Sequence, residues 1–296
     1  MSIRQLALIG PTASGKTALA IKAAHALDAY ILSIDSLSIY KEIDIVSAKP
    51  TIAERQGITH FGIDYIFPYE NFDVTTLIKL YHKVYAKALS NNKNLVIVGG
   101  TSFYLKMLME GISELPEISK KTKEESNNAL QNLPDTYRQL YTLDADYMQK
   151  IASNDPYRIE KALHIYLETG LTPSEYFKRF PPKPTIKPGL SLYQIEVDRE
   201  KLRERISLRT EMMLAGGLID EICTLEQKYT REPNCMKAIG IKETLAFLDG
   251  IYDKKMLKEK ITVNTARLAK RQNTFNNSQF ENVTKGNVQD LEKILR

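Results

Sequence analysis

Apolar positions along this chain come in two textures. Short runs of strand length stand at 6–9, 30–34, 95–98 and 192–197, with 60–66 as a further strand candidate. Between them, apolar residues return at the helical period. Ala18, Leu19, Ala20, Ala23, Ala24, Ala26 and Leu27 follow the first run. Val74, Leu77, Ile78, Tyr81, Val84, Tyr85, Ala88 and Leu89 follow Asp73, whose carboxylate suits a helix N-cap. Near-continuous apolar strands alternating with helices are what a parallel sheet covered on both faces requires, so the predicted fold class is α/β. The run at 95–98, Leu-Val-Ile-Val, is the most uniformly apolar and predicts a central strand.

The texture changes at 115. From there to about 180 the chain is polar and helix-prone. Asp155-Pro156 is a helix start with proline at the first helical position, Gly170 is a stop, and Thr172-Pro173 starts the next helix. Pro181, Pro182, Pro184 and Pro188-Gly189 read as a stiff return linker. The predicted organisation is an α/β core in two parts, 1–114 and 186–296, interrupted by an all-helical insertion at 115–185. In the second part Asp198 caps a helix reaching about Ala215, which Gly216-Gly217 ends. A turn region at 231–240 precedes 241–248, Asp253 opens a long basic helix, and 286–296 predicts a terminal helix.

The exit of the first strand carries the clearest chemistry. Gly10, Gly15, Lys16 and Thr17 stand at the spacing of a phosphate-binding loop, within Gly10-Pro11-Thr12-Ala13-Ser14-Gly15-Lys16-Thr17. Glycines let the backbone turn so that successive N–H groups converge on an anion, and the helix that starts near Lys16 adds its positive end. Lys16 then reaches phosphate oxygens, and the Thr17 hydroxyl is placed to ligate Mg²⁺. With strand before and helix behind, this is a P-loop NTPase-like core.

Two further strand ends aim at the same crevice. Asp35 follows the second strand, either as a carboxylate facing the ligand crevice or as a cap for the next turn. The central strand ends in Gly99-Gly100-Thr101 rather than the acidic residue common in phosphate-loop ATPases, so Thr101 is a second hydroxyl there. In the helix after Asp198, Arg209 interrupts the apolar stripe of Leu202, Ile206 and Met213, with Arg205 at its edge. A guanidinium on such a stripe needs an anion, either a bound phosphate or an internal partner.

Bulk composition excludes several classes. Two cysteines, Cys223 and Cys235, make no disulfide framework and no paired metal site, and the four histidines lack ligand spacing. No apolar run approaches the ~18 residues of a membrane span, which predicts a soluble, cytoplasmic protein. A net charge of +5, from 41 basic and 36 acidic residues, permits a polyanionic partner.

Taken together, these blocks resemble the tRNA dimethylallyltransferase family, the enzymes that prenylate the adenosine beside the anticodon. The resemblance rests on residues 10–17, Ile34-Asp35-Ser36, Ile39-Tyr40-Lys41, Ala48-Lys49-Pro50, Val98-Gly99-Gly100-Thr101, Asn154-Asp155-Pro156-Tyr157-Arg158, Met213-Leu214-Ala215-Gly216-Gly217, Ala238-Ile239-Gly240 and Ala269-Lys270-Arg271-Gln272, in that order. It implies that Asp35 is the general base, that Thr17 and Thr101 are the hydroxyls around Mg²⁺ and diphosphate, and that Arg209 binds diphosphate. It also implies tRNA contacts at Asp35, Ser36, Leu37 and Ser38, at Thr101 and Lys123, at Tyr157, Arg158, Ile159, Glu160 and Lys161, and at Lys237, Lys242, Lys270 and Arg271. The implied partners are dimethylallyl diphosphate and the tRNA anticodon loop, the target base being flipped out of it, and the implied enzyme is a cytoplasmic monomer. Two other readings start from the loop itself: a small-molecule or nucleotide kinase with a helical lid, and a nucleotide-gated RNA-binding protein.

Overall fold

The first apolar run folds as β1 (Gln5–Ile9) and feeds α1 (Lys16–Ala26) in the computed structural model, which describes residues 3–295. Next come β2 (Ala29–Ser33), β3 (His60–Phe61), α2 (Val74–Ser90), β4 (Asn94–Val98) and α3 (Ser102–Glu110). Two compact units divide the chain. One takes it up to residue 108 and again from 186 onward; the other is 109–185.

In the first unit the strands form one sheet in the order β3-β2-β4-β1-β5-β6, with every pairing parallel. Here β5 is Ser191–Ile195 and β6 is Thr284–Gly286. The central pair, β1 and β4, is covered on both faces, which is why residues 6–9 and 95–97 are almost wholly buried. One face packs on α1: Leu6, Leu8, Ile31 and Val96 meet Leu19, Ala20, Ala23 and Ala24. Burying each such Leu or Ile contributes roughly 1.5–3 kcal/mol. Parallel order puts the exits of β1, β2 and β4 on a single edge. Residues 10–17, Asp35 and Thr101 therefore arrive at one crevice.

The strand expected at 60–66 is only two residues long. Gly62 has φ +76°, and a Cβ there would lie 2.2 Å from the carbonyl oxygen of Ser33, so the chain turns away from the sheet at that point. It returns as a single bridge between Ile66 and Tyr40. Asp73 caps α2 by accepting from the N–H of Thr76 at 2.7 Å, as the sequence predicts.

The second unit is built from α4 (Lys120–Leu130), α5 (Leu133–Leu143), α6 (Ala145–Met148), α7 (Pro156–Thr169) and α8 (Pro173–Arg179). Leu140, Met148, Ile151, Ile159, Ala162 and Leu163 make its core. Asp155 caps α7, and Thr172 opens α8 with a capping box to Glu175. Asp144 caps α6 and also accepts from the Ser174 N–H at 2.7 Å and the Ser174 hydroxyl at 2.8 Å, joining α6 to α8. His164 is buried against Ser126, with Nε2 2.9 Å from the hydroxyl oxygen, a packing role between α7 and α4.

The rest of the first unit is helical: α9 (Arg199–Ala215), α10 (Leu218–Tyr229), a short 3-10 turn at Asn234–Lys237, α11 (Ile241–Leu248), α12 (Lys254–Gln279) and α13 (Val288–Leu295). Asp198 and Asp253 cap α9 and α12. Leu291 and Leu295 of α13 join the core against α1. No described helix is long and apolar enough to cross a membrane.

Candidate active site

The loop between β1 and α1 takes backbone angles that few sequences tolerate. Gly15 has φ +94° where the loop enters α1, and Ala13, at φ +61°, shares the left-handed region. The turn is closed by the Ser14 N–H donating to the Pro11 carbonyl at 3.2 Å. The Lys16 ammonium curls back over it, donating to the carbonyls of Gly10 at 2.9 Å and Pro11 at 2.7 Å. The hydroxyl of Ser14 is fully buried and has no hydrogen-bond partner. Two neighbours hold the loop from outside: the Thr12 N–H donates to Gln272 of α12 at 2.8 Å, and Arg205 of α9 donates to the Ser14 carbonyl at 3.5 Å.

Beside the loop, Asp35 and Thr101 form the second wall. The Ile34 N–H donates to the Val98 carbonyl at 2.8 Å, which sets the tips of β2 and β4 side by side. One carboxylate oxygen of Asp35, Oδ1, accepts from the N–H groups of Leu37 at 2.9 Å and Ser38 at 3.2 Å. Thr101 accepts from the Ser36 N–H at 3.2 Å. Both sequence readings of Asp35 thus have a counterpart: Oδ1 caps the turn, while Oδ2 is left to the Gly100 side of the crevice.

Arg209 comes from α9, half-buried, and donates to the Ser47 carbonyl at 3.3 Å. Among the described residues it has no carboxylate within 4.0 Å, although Asp35 acts on it electrostatically. The cleft of about 1960 Å³ is lined by the loop from Thr12 to Thr17, by residues 35–38, by Thr101 and by Arg209. Among the charged groups lining it, Lys16 and Arg209 both interact with the Asp35 carboxylate, beside the positive start of α1. Burial pushes the Lys16 ammonium down to about 8; Asp35 opposes that shift, and Arg209 adds to it. Burial also lowers Arg209, again opposed by Asp35. A site that makes its own cations costly is one that an anion would relieve.

The other sequence-derived residues fall in several places. Lys237, Lys242 and Arg271 line the same cleft, whereas Lys270 is exposed on α12 outside its lining. Ser36 is exposed and Leu37 half-buried, while Ser38 is buried. In the second unit Lys123 is exposed on α4. On α7, Tyr157 and Arg158 are exposed, and the Lys161 ammonium sits 5.3 Å from the centre of the Tyr157 ring. Glu160 lies 3.7 Å from His164. Ile159 is a correction. It is 0% exposed in the core of that unit, because the helix turns its side chain inward with Leu163, so it is not a surface contact.

Sequence reasoning assigned no contact to Gln272 or Glu221. Gln272 also donates to the Gly100 carbonyl at 2.9 Å, and Glu221 accepts from three backbone N–H groups of residues 44–46. Nothing in local spacing marks either one, since their partners lie far away along the chain.

Residues 38–279 match the protein-family model described as IPP transferase. The tRNA dimethylallyltransferase of Sulfurovum sp. (strain NBC37-1) is 75% identical over 293 residues, covering 99% of this chain and 97% of that protein. The tRNA dimethylallyltransferase of Sulfurimonas denitrificans is 53% identical over 291 residues, 98% of each. Among solved structures, the full-length tRNA isopentenylpyrophosphate transferase of Bacillus halodurans superposes with a TM-score of 0.71 at 26% identity, covering 99% of this chain and 95% of that one. A eukaryotic dimethylallyltransferase caught acting on tRNA gives a TM-score of 0.82 at 26% identity, over 92% of this chain and 70% of that one.

Proposed function

We infer that this chain, which belongs to the IPP transferase family, is a tRNA dimethylallyltransferase whose reaction runs in the cleft of the phosphate loop. The observation that carries the reading is the placement of Asp35 and Thr101 opposite a phosphate loop flanked by Arg209, all on one cleft. A loop shaped for triphosphates then grips a diphosphate leaving group, and the carboxylate beside it serves the acceptor. The kinase reading uses the loop but leaves Asp35 and Thr101 without a task.

The chemistry follows from the two reactants. The exocyclic amine of adenine is a poor nucleophile because its lone pair is delocalised into the ring. Asp35 takes a proton from it as the new C–N bond forms, a contribution of about 10² to 10⁴ in rate. On the other side the allylic C–O bond breaks and its electron pair leaves with diphosphate. Lys16, Arg209 and the loop N–H groups stabilise that departing charge without having to reorganise. The proton ends on Asp35, the prenyl group on N6, and diphosphate is released.

Among the described residues no three His, Cys, Asp or Glu side chains gather into a metal cage. Of the loop's three hydroxyls, those of Thr12, Ser14 and Thr17, the last is exposed in the first turn of α1. That donor set fits Mg²⁺, which keeps several waters and is held largely by phosphate oxygens. Thr17 would hold it, Thr101 lining the same cleft, and when bound it would neutralise diphosphate charge.

For the acceptor, the exposed Tyr157, Arg158 and Lys161 of α7 and Lys123 of α4 offer an aromatic and basic surface to an RNA loop. Lys237, Lys242, Lys270 and Arg271 do the same on the first unit. The adenine is swung out of its loop to reach Asp35. Incubation of the protein with unmodified tRNA and either dimethylallyl diphosphate or ATP tests the reading. It predicts one added isoprenyl group on a single adenosine with the first donor; release of ADP with no change to the RNA would overturn it.

A further inference from the structure

Glu221, in the first turn of α10, takes no part in the chemistry above, yet its carboxylate is fully engaged. Oε2 accepts the backbone N–H groups of Asp44 at 2.9 Å and Ile45 at 2.7 Å, and Oε1 accepts that of Val46 at 3.0 Å. Those three groups open a tight turn, in which the Ala48 N–H donates to the Ile45 carbonyl at 3.0 Å and the Lys49 N–H to the Asp44 carbonyl at 3.3 Å. The first N–H groups of such a turn have no acceptor within it. Glu221 caps them from another part of the fold.

The far side of the same turn faces the cleft. The Ser47 hydroxyl locks the turn by donating to the Ile43 carbonyl at 2.5 Å and the Asp44 carbonyl at 3.1 Å. Its carbonyl oxygen then receives Arg209. Val46 rests on Gly240, so the turn is wedged from a third direction. With no described carboxylate paired to it, the Arg209 guanidinium takes its direction from Ser47. Hydrogen bonds and the backbone of residues 44–47 thus connect Glu221 to the guanidinium.

We propose that Glu221 is a positioning residue for the donor site: by capping the turn at 44–49 it fixes the Ser47 carbonyl, which aims Arg209 at the diphosphate. A carboxylate is the group this needs. Two oxygens accept three N–H groups through charge-assisted bonds, whereas a carboxamide would turn its own N–H toward one of them. The inference rests on the diphosphate reading of the cleft.

Calorimetric binding of inorganic diphosphate and steady-state kinetics with dimethylallyl diphosphate and tRNA test it together. Glu221→Ala should weaken diphosphate binding and raise the donor KM by about ten- to hundredfold, with tRNA affinity changed less than about twofold. Glu221→Gln, which keeps one acceptor oxygen, should fall between wild type and Ala, and it provides the measurement if the Ala variant does not fold. In an Arg209→Ala background, adding Glu221→Ala should change diphosphate binding by less than about twofold, since both act through one guanidinium. Unchanged diphosphate affinity in either single variant, additive effects in the double variant, or an equal loss of tRNA affinity would overturn the proposal. A wild-type protein that binds diphosphate but transfers no prenyl group would instead overturn the proposed function.

Discussion

Gln272 spends both ends of its side-chain amide on the site: Oε1 accepts from the Thr12 N–H at 2.8 Å and Nε2 donates to the Gly100 carbonyl at 2.9 Å. One residue of α12 thereby sets the spacing between the phosphate loop and the tip of β4. The complementarity is directional, an oxygen toward the N–H and a nitrogen toward the carbonyl. Gln272→Ala leaves both backbone groups without this partner. It is expected to lower kcat/KM for the donor by about tenfold, the scale of one to two lost hydrogen bonds. Gln272→Glu should be worse, because its second oxygen would oppose the Gly100 carbonyl. Donor kinetics on the two variants decide this; a Glu variant with wild-type kinetics would remove the residue from the account.

Asp35→Asn separates chemistry from structure. Asparagine retains an oxygen for the N–H groups of Leu37 and Ser38, so the turn after β2 should survive. It cannot take a proton from the adenine amine. A fall in kcat of about 10² to 10⁴ is expected, with tRNA affinity kept. Single-turnover prenylation and a filter-binding assay measure the two quantities, and near-normal turnover would rule out Asp35 as the base.

The low value of Lys16, about 8, makes a pH prediction with a definite sign. Below it the side chain is an ammonium and attracts diphosphate; above it the charge is lost. In the free enzyme kcat/KM for the donor should therefore decline as pH rises through about 8. Bound diphosphate favours the ammonium, so the same limb in kcat should move to higher pH. A Lys16→Met protein should show lower activity without that limb, and a wild-type profile flat from pH 7 to pH 9, a window set by the general meaning of such limbs (about one unit each side), would contradict the assignment.

Arg158 is exposed on α7, its guanidinium 3.4 Å from Asp155. If it meets an RNA phosphate, Arg158→Ala should weaken tRNA binding and reduce the slope of log affinity against log salt by about one. Binding titrations at several salt concentrations give the slope. An unchanged slope would take this side chain off the RNA surface.

How legible the molecule was depended on how local each feature is. The phosphate loop, its strand and its helix announce themselves because glycine, lysine and threonine lie within eight residues. Asp35 and Thr101 could be read because strand ends place them. The hydrogen bonds of Gln272 and Glu221 could not, since the Gln272 bond to Thr12 spans 260 positions and the Glu221 bond to Ile45 spans 176. Ile159 shows a different failure. The resemblance names a run of neighbouring residues as one surface, but a helix turns about 100° per residue, so Tyr157 and Arg158 face solvent while Ile159 faces the core. β6 has no signal in the sequence because the strand is three residues long, polar and mostly exposed at a sheet edge, with no alternation to read.

The helix behind the phosphate loop is buttressed by a segment far along the chain. Leu291 and Leu295 seal the face of α1, Val288 stands against Gly15, and Lys22 pairs with Glu292, 270 residues downstream. During translation, the anion cradle emerges from the ribosome some 270 residues before the stretch that backs it. A nascent chain stalled before Val288 should carry the right loop residues on a helix that packs on the sheet but lacks this second support, so donor competence waits for that stretch.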